Sequence, residues 1–171
     1  LTLAGDGDLI VQAPIDLQDS QSTPTFGDLR HTGAGVARFQ DSLLVDRLEG
    51  VGGGTLWMDQ SADSSVMSGL AVSSLFLDNG SLMRRDGNET VSDANLELGS
   101  GGGGISVGDG FTLVWDSPIT GEGDFTKEGE GILRFPATAA ISYTGATLVK
   151  AGNLDVLSTS PAIATCSGSG A

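Results

Sequence analysis

The chain has 171 residues, 27 of them glycine, with 39% hydrophobic, 5% aromatic and 18% charged residues and a formal net charge of −14. That hydrophobic share is too high for a disordered polar tract and the length suffices for one domain with a core, so glycine far above the usual ~7% reads as bends between short apolar strands. Eight basic residues against twenty-two acidic ones argue against a nucleic-acid partner, which needs clustered Lys and Arg to neutralise phosphate; the acidic balance speaks first to solubility.

The elements recur as short bursts of period-2 alternation, each closed by Gly, Asn or Asp. "LTLAGDGDLIV" opens the chain, with no basic n-region or cleavage site, so the chain is expected to be a piece of something longer. An irregular loop near 16–35 follows, carrying Pro24 and His31. "VARFQDSLLVDRL" (Val36 to Leu48) is the best helix candidate, since Val36, Phe39, Leu43 and Leu48 could share a stripe. It divides equally well into two strands at Asp41-Ser42, and its strand-like flanks favour that division. Next come "GGGTLWMD", "SLFLDNGSL", "NLELGSGGGG", "ISVGDGFTLVWD", "GILRF" and "GNLDVL". The longest uncharged stretch, Ser64 to Leu77, is short of the ~20 apolar residues a membrane helix needs, so this segment is not expected to be membrane-embedded.

Strand, bend and strand repeating at intervals of ~20 residues is a solenoid signature. No unit can bury its apolar face alone, so each stacks on the next and the core becomes a column. The expected fold is all-β, a right-handed parallel β-helix, with a β-sandwich as the competing arrangement of many short strands.

From residue 117 the pattern tightens. In "SPITGEGDFTKEGEGILRFPATAAISYTGATLVKAGNLDVLS", Ile119, Gly121, Gly123, Lys127, Gly129, Gly131, Leu133, Tyr143, Gly145, Thr147, Val149, Gly152 and Leu154 stand at the positions of the autotransporter-associated β-strand repeat, which this stretch resembles. Phe125 and Phe135 replace the usual Leu and keep an apolar inward position, whereas Ile141 replaces an Asn that would bond a turn backbone. Alternate glycines between Gly121 and Gly131 are expected to supply positive φ at a corner. Lys127 and Arg134 are expected outside, among Glu122, Glu128 and Glu130.

Several sharper chemistries have candidate residues in the chain. Gly104-Ile105-Ser106-Val107-Gly108 matches the nucleophile pattern Gly-x-Ser-x-Gly, and His31 is the sole histidine. A nucleophile elbow requires a helix behind the serine, and a turn and another strand follow instead. Ser106 is therefore expected to face out between inward Ile105 and Val107. A phosphate loop fails for lack of Gly-Lys-Ser/Thr and a following helix N-terminus. Asp and Asn in "GDGD", "DNG", "RDGN" and "GDG" supply oxygens at bends, but the twelve-residue calcium loop is absent. Asp124 with Glu128 or Glu130 has nothing to raise a pKa for glycoside chemistry. Cys166 is the single cysteine, which leaves no intrachain disulfide and no multi-cysteine metal site. Two Asn-x-Ser/Thr sequons, Asn79-Gly80-Ser81 and Asn88-Glu89-Thr90, read as chance matches in a bacterial context. Trp57 and Trp115 are expected to pack over strand ends or, if exposed, to form a sugar- or partner-binding face. No catalytic, cofactor-binding or metal residue is assigned, and no cofactor is expected.

The expected organisation is β-helix rungs over 1–116, the β-strand repeat over 117–158 continuing the same solenoid, and a flexible tail or linker over 159–171. The resemblance implies a non-enzymatic stalk or adhesin segment, outside a Gram-negative cell and attached to its outer membrane, with flanking passenger and β-barrel domains in the full protein. Its partners would be host or bacterial surface molecules, protein or glycan, or further copies of itself. The alternatives are a secreted carbohydrate-active β-helix enzyme or a repeat module of another cell-surface protein.

Overall fold

A short strand with one apolar side must cover that side with something, and a chain of such strands can cover each with the next. The computed structural model shows this solution. The structure describes residues 1–12, 15–16, 27–40, 43–58, 70–157 and 166–168. The described elements are strands, numbered β1 to β19 in chain order, arranged in three sheets. The first sheet runs β1 (Thr2–Leu3), β4 (Leu29–His31), β6 (Leu43–Gly50), β8 (Leu70–Leu77), β11 (Asn95–Leu98) and β14 (Ile119–Gly121), with β3 (Ile15–Asp16) beside β6. The second has eight strands: β2 (Leu9–Val11), β5 (Val36–Phe39), β7 (Thr55–Met58), β9 (Ser81–Arg85), β12 (Gly103–Val107), β15 (Phe125–Glu128), β17 (Thr147–Val149) and β19 (Cys166–Gly168). The third comprises β10 (Glu89–Val91), β13 (Thr112–Trp115), β16 (Ile132–Phe135) and β18 (Asn153–Val156).

Every pairing among the described strands is parallel. The chain visits the faces in rotation, β9, β10 and β11 being followed by β12, β13 and β14 on the same three sheets. This is a parallel β-helix. It rules out the sandwich, whose two sheets would be built from antiparallel neighbours. The segment Val36 to Leu48 is strand on both sides, in β5 and β6, as its flanks indicate; the expected break at Asp41-Ser42 lies outside the described residues. Of the loop expected near 16–35, residues 17–26 lie outside the described residues, Asp16 ends β3, and β4 with its glycine corner lies within 27–35. In the expected tail, Cys166–Gly168 pairs with β17.

In-register stacking turns the inward positions into columns. On the first sheet Leu48, Leu75, Leu96, Ile119 and Ile141 succeed one another, all buried. Each such side chain, fully covered, contributes roughly 1.5–3 kcal/mol. Ile141 thus joins the column through its bridge to Ile119, where the repeat pattern would have put a turn-bonding Asn. Phe125 and Phe135 are fully buried, edge-on to each other at 5.7 Å, and Tyr143 lies 5.8 Å from Phe125. The Tyr143 hydroxyl is hydrogen-bonded to the Thr147 hydroxyl, which settles both buried polar groups.

The second sheet's column runs Ala37, Leu56, Met83, Ile105 and then Lys127. Lys127 is fully buried, which corrects the expectation of a solvated lysine. Its Nζ donates to the carbonyls of Glu128 at 2.7 Å, Gly129 at 2.6 Å and Ala151 at 3.0 Å. The side chain points in because it shares strand parity with Phe125, and its three donors are then matched by three corner carbonyls. Burial pushes its pKa down to about 8, against the opposing pull of Glu130 and Glu128.

The glycine corners serve two purposes rather than one. Gly121 and Gly129 take positive φ, 120° and 71°. Gly123 and Gly131 do not; there a Cβ would sit 1.9 Å from the Gly99 carbonyl oxygen and 2.2 Å from that of Gly108. Positive φ therefore explains only half of the alternating run, and close approach of successive turns explains the remainder.

Candidate interaction surface

A column uses up the inward side chains, so only outward residues and corners remain to meet a partner. Register lines the outward residues into ladders. On the second sheet Arg38, Trp57 and Arg84 are successive partners, and both guanidiniums lie over the Trp57 ring, at 4.1 and 4.3 Å from its centroid. Each such contact contributes ~0.5–1 kcal/mol at a surface site. Both ring faces are occupied, so Trp57 offers no open platform to a sugar. Trp115 is 1% exposed within the core, so it forms no surface either.

On the first sheet Arg47 lies 4.8 Å over the ring of Phe76 while bonding Glu49 at 2.7 Å and Glu97 at 3.1 Å, and Arg30 approaches Glu49 at 3.6 Å. On the third, Arg134 faces outward as expected and pairs with Asp155 at 2.9 Å. Arg84 also pairs with Asp86, Lys150 with Glu128, and the buried Arg85 with Glu89. Exposed pairs of this kind add ~0–1 kcal/mol each, so their main effect is on the field outside. The eight basic residues are all engaged within the chain, in ion pairs, over rings or on carbonyls.

The enzymatic candidates are not assembled. His31 lies on β4 between β1 and β6, whereas Ser106 lies on β12 between β9 and β15. Ser106 faces outward, half-buried, between the inward Ile105 and Val107, as expected. His31 is 3% exposed with its Nδ1 unpartnered, and burial lowers its pKa, which keeps the imidazole neutral at pH 7. Asp124 accepts the Ala146 N–H at 2.7 Å, and Glu128 is held by Lys150. The interior space bounded by Leu48, Met58, Leu75, Ala94 and Trp115 is about 30 Å³, room for about one water and not for a substrate. Among the described residues no three His, Cys, Asp or Glu side chains converge on a metal position.

The bend acids do something that sequence reasoning missed. Asp6 accepts the N–H of Ala34, Asp8 that of Val36, Asp78 that of Gly101, Asn88 that of Thr112 and Asp124 that of Ala146. In every case the acceptor belongs to one turn and the donor to the following one. The signal was present as Asp or Asn beside Gly once per turn, but its meaning depends on which backbone lies above it.

No family model matches the chain, so the β-strand repeat read at 117–158 rests on its own residues. No solved structure matches it. The chain is 38% identical over 106 residues to the Adhesin BmaC autotransporter of Brucella suis biovar 1 (strain 1330), covering 59% of this chain and 3% of that protein. The chain fits an autotransporter passenger. It spans only a small fraction of the relative it matches. The chain presents cross-braced ladders and acidic corners, and no helix among its described residues is long and apolar enough to cross a membrane.

Proposed function

We propose that the chain is a structural and adhesive segment of a passenger displayed outside a Gram-negative cell, attached through the rest of its protein to the outer membrane. The observation that carries this reading is the 38% identity to an autotransporter named as an adhesin, in a chain whose fold is a parallel β-helix. The segment works without catalysis: the column is closed, and Asp124 and Glu128 are each bonded within the chain. Residues 117–158 continue the solenoid of 1–116. The partners are host or bacterial surface molecules, or the same segment on a neighbouring cell.

The test is display of the folded chain on beads, scored for attachment to host-cell monolayers and for bead clumping, against beads carrying an unrelated β-helix of similar charge. Attachment or clumping above that control is expected. Equal behaviour of the two bead sets on cells, matrix and each other would refute the adhesive role.

A further inference from the structure

The two sequons have different fates in the fold. Transfer of a sugar to Asn needs the side-chain Nδ2 to be reachable and the hydroxyl two residues on to be presented beside it. Asn79 is exposed, but its amide is tied down and the second condition fails. Its Nδ2 donates to the Val51 carbonyl at 2.9 Å, its backbone is held at φ 54°, and Gly80 N–H is bonded to Gly102. The partner hydroxyl, on Ser81, is 1% exposed and accepts the Gly53 N–H at 3.0 Å.

At Asn88 the arrangement is the reverse. Asn88 lies on the corner between β9 and β10, exposed, and Thr90 is exposed beside it. The Asn88 amide uses only its oxygen, which accepts the Thr112 N–H at 2.7 Å. Its Nδ2 and the Thr90 hydroxyl have no partner among the described residues. Attaching a sugar through nitrogen leaves the amide oxygen intact, so the bond to Thr112 survives the modification. The residue between them, Glu89, is turned into the chain and paired with Arg85, out of the way of an incoming enzyme.

We propose that Asn88 is an N-linked glycan acceptor in the folded chain and that Asn79 is not. The donor is a sugar activated as a diphosphate ester, lipid- or nucleotide-linked. Nδ2 bonds to the anomeric carbon, the carbon–oxygen bond to the diphosphate breaks, the diphosphate leaves with the electron pair, and Nδ2 gives up one proton to a base of the transferase.

The experiment treats the purified folded chain with an N-glycosyltransferase that uses a nucleotide-linked hexose. In parallel, the chain is produced in a host with a lipid-linked system, and both products are read by intact mass and peptide mapping. The expected result in at least one arm is a single glycan on Asn88, lost in Asn88→Gln and retained in Asn79→Gln. The same chain unfolded in urea, then diluted into the nucleotide-sugar reaction before it refolds, should take sugar at both positions. Sugar on Asn79 of the folded chain, no sugar in either arm, or the Asn88-only pattern persisting in the unfolded chain would each overturn the assignment.

Discussion

Replacing Lys127 with Met keeps an unbranched inward side chain, one atom shorter, and removes its charge and the three hydrogen bonds of its Nζ. At pH 7 two effects oppose each other. Holding the ammonium inside costs about 3 kcal/mol, from a pKa of about 8 in place of 10.5 at ~1.4 kcal/mol per unit. Against this, the substitution leaves three corner carbonyls without their donor, at roughly 1–3 kcal/mol for each acceptor left unsatisfied. The bonds win, and Lys127→Met should destabilise the chain by roughly 3 kcal/mol at pH 7, within the range for stripping one partner from a buried charged cluster. The pH dependence is the sharper measurement. Because the folded pKa lies below the unfolded one, the unfolded chain binds more protons between about pH 8 and 10.5, and the stability contributed by this residue rises with pH through that window. Urea unfolding followed by the fluorescence of buried Trp115, run at pH 7 and 9.5 on both proteins, should show the wild type gaining ~2 kcal/mol relative to the variant. Groups common to both proteins cancel in that difference. A wild type that loses ground to the variant as the pH rises, or one that tracks it, would refute the reasoning.

The corner glycines should separate by mechanism in the same urea assay. Gly123→Ala, whose Cβ would lie 1.9 Å from the Gly99 carbonyl oxygen, forces two turns apart and should cost more than Gly80→Ala. At Gly80 there is open space but φ is +74°, and the expected cost is ~1–2 kcal/mol. Asp124→Ala removes the acceptor for Ala146 N–H and should cost ~1 kcal/mol, while Asp124→Asn, which keeps an oxygen there, should recover most of it. Glu89→Ala leaves Arg85 5% exposed with only the Met58 carbonyl as partner, at 3.1 Å, and should cost ~3 kcal/mol; the double change Arg85→Met with Glu89→Gln should restore much of that. Burial holds the Glu89 carboxyl above its ordinary 4.5 despite Arg85, so the stability owed to this group declines as pH rises past that value, a slope that Glu89→Gln should abolish.

Much of this molecule is local in origin and therefore legible in the chain. Alternation in "NLEL" and "GILRF" names the inward residues Leu96, Leu98 and Leu133, all buried, because the side-chain period of a strand does not depend on its neighbours. The same parity, taken strictly, marks Lys127 as inward from its spacing to Phe125; charge argued the other way, and only the convergence of the Glu128, Gly129 and Ala151 carbonyls resolves the conflict. Trp57 and Trp115 look alike in sequence, yet one is clamped between Arg38 and Arg84 and the other is buried. The partners of Trp57 come from turns before and after its own.

The sequence by itself determined the strands, the glycine corners and the stacking of repeats into a parallel β-helix, since each of these follows from short-range alternation and from the absence of side chains at bends. Tertiary structure alone decided which backbone N–H each bend carboxylate receives, which cation meets which acid or ring, and which sequon keeps a free amide. Those contacts join residues such as Asp6 and Ala34, 28 positions apart, or Asp124 and Ala146, 22 apart. They exist only once one turn has settled on another.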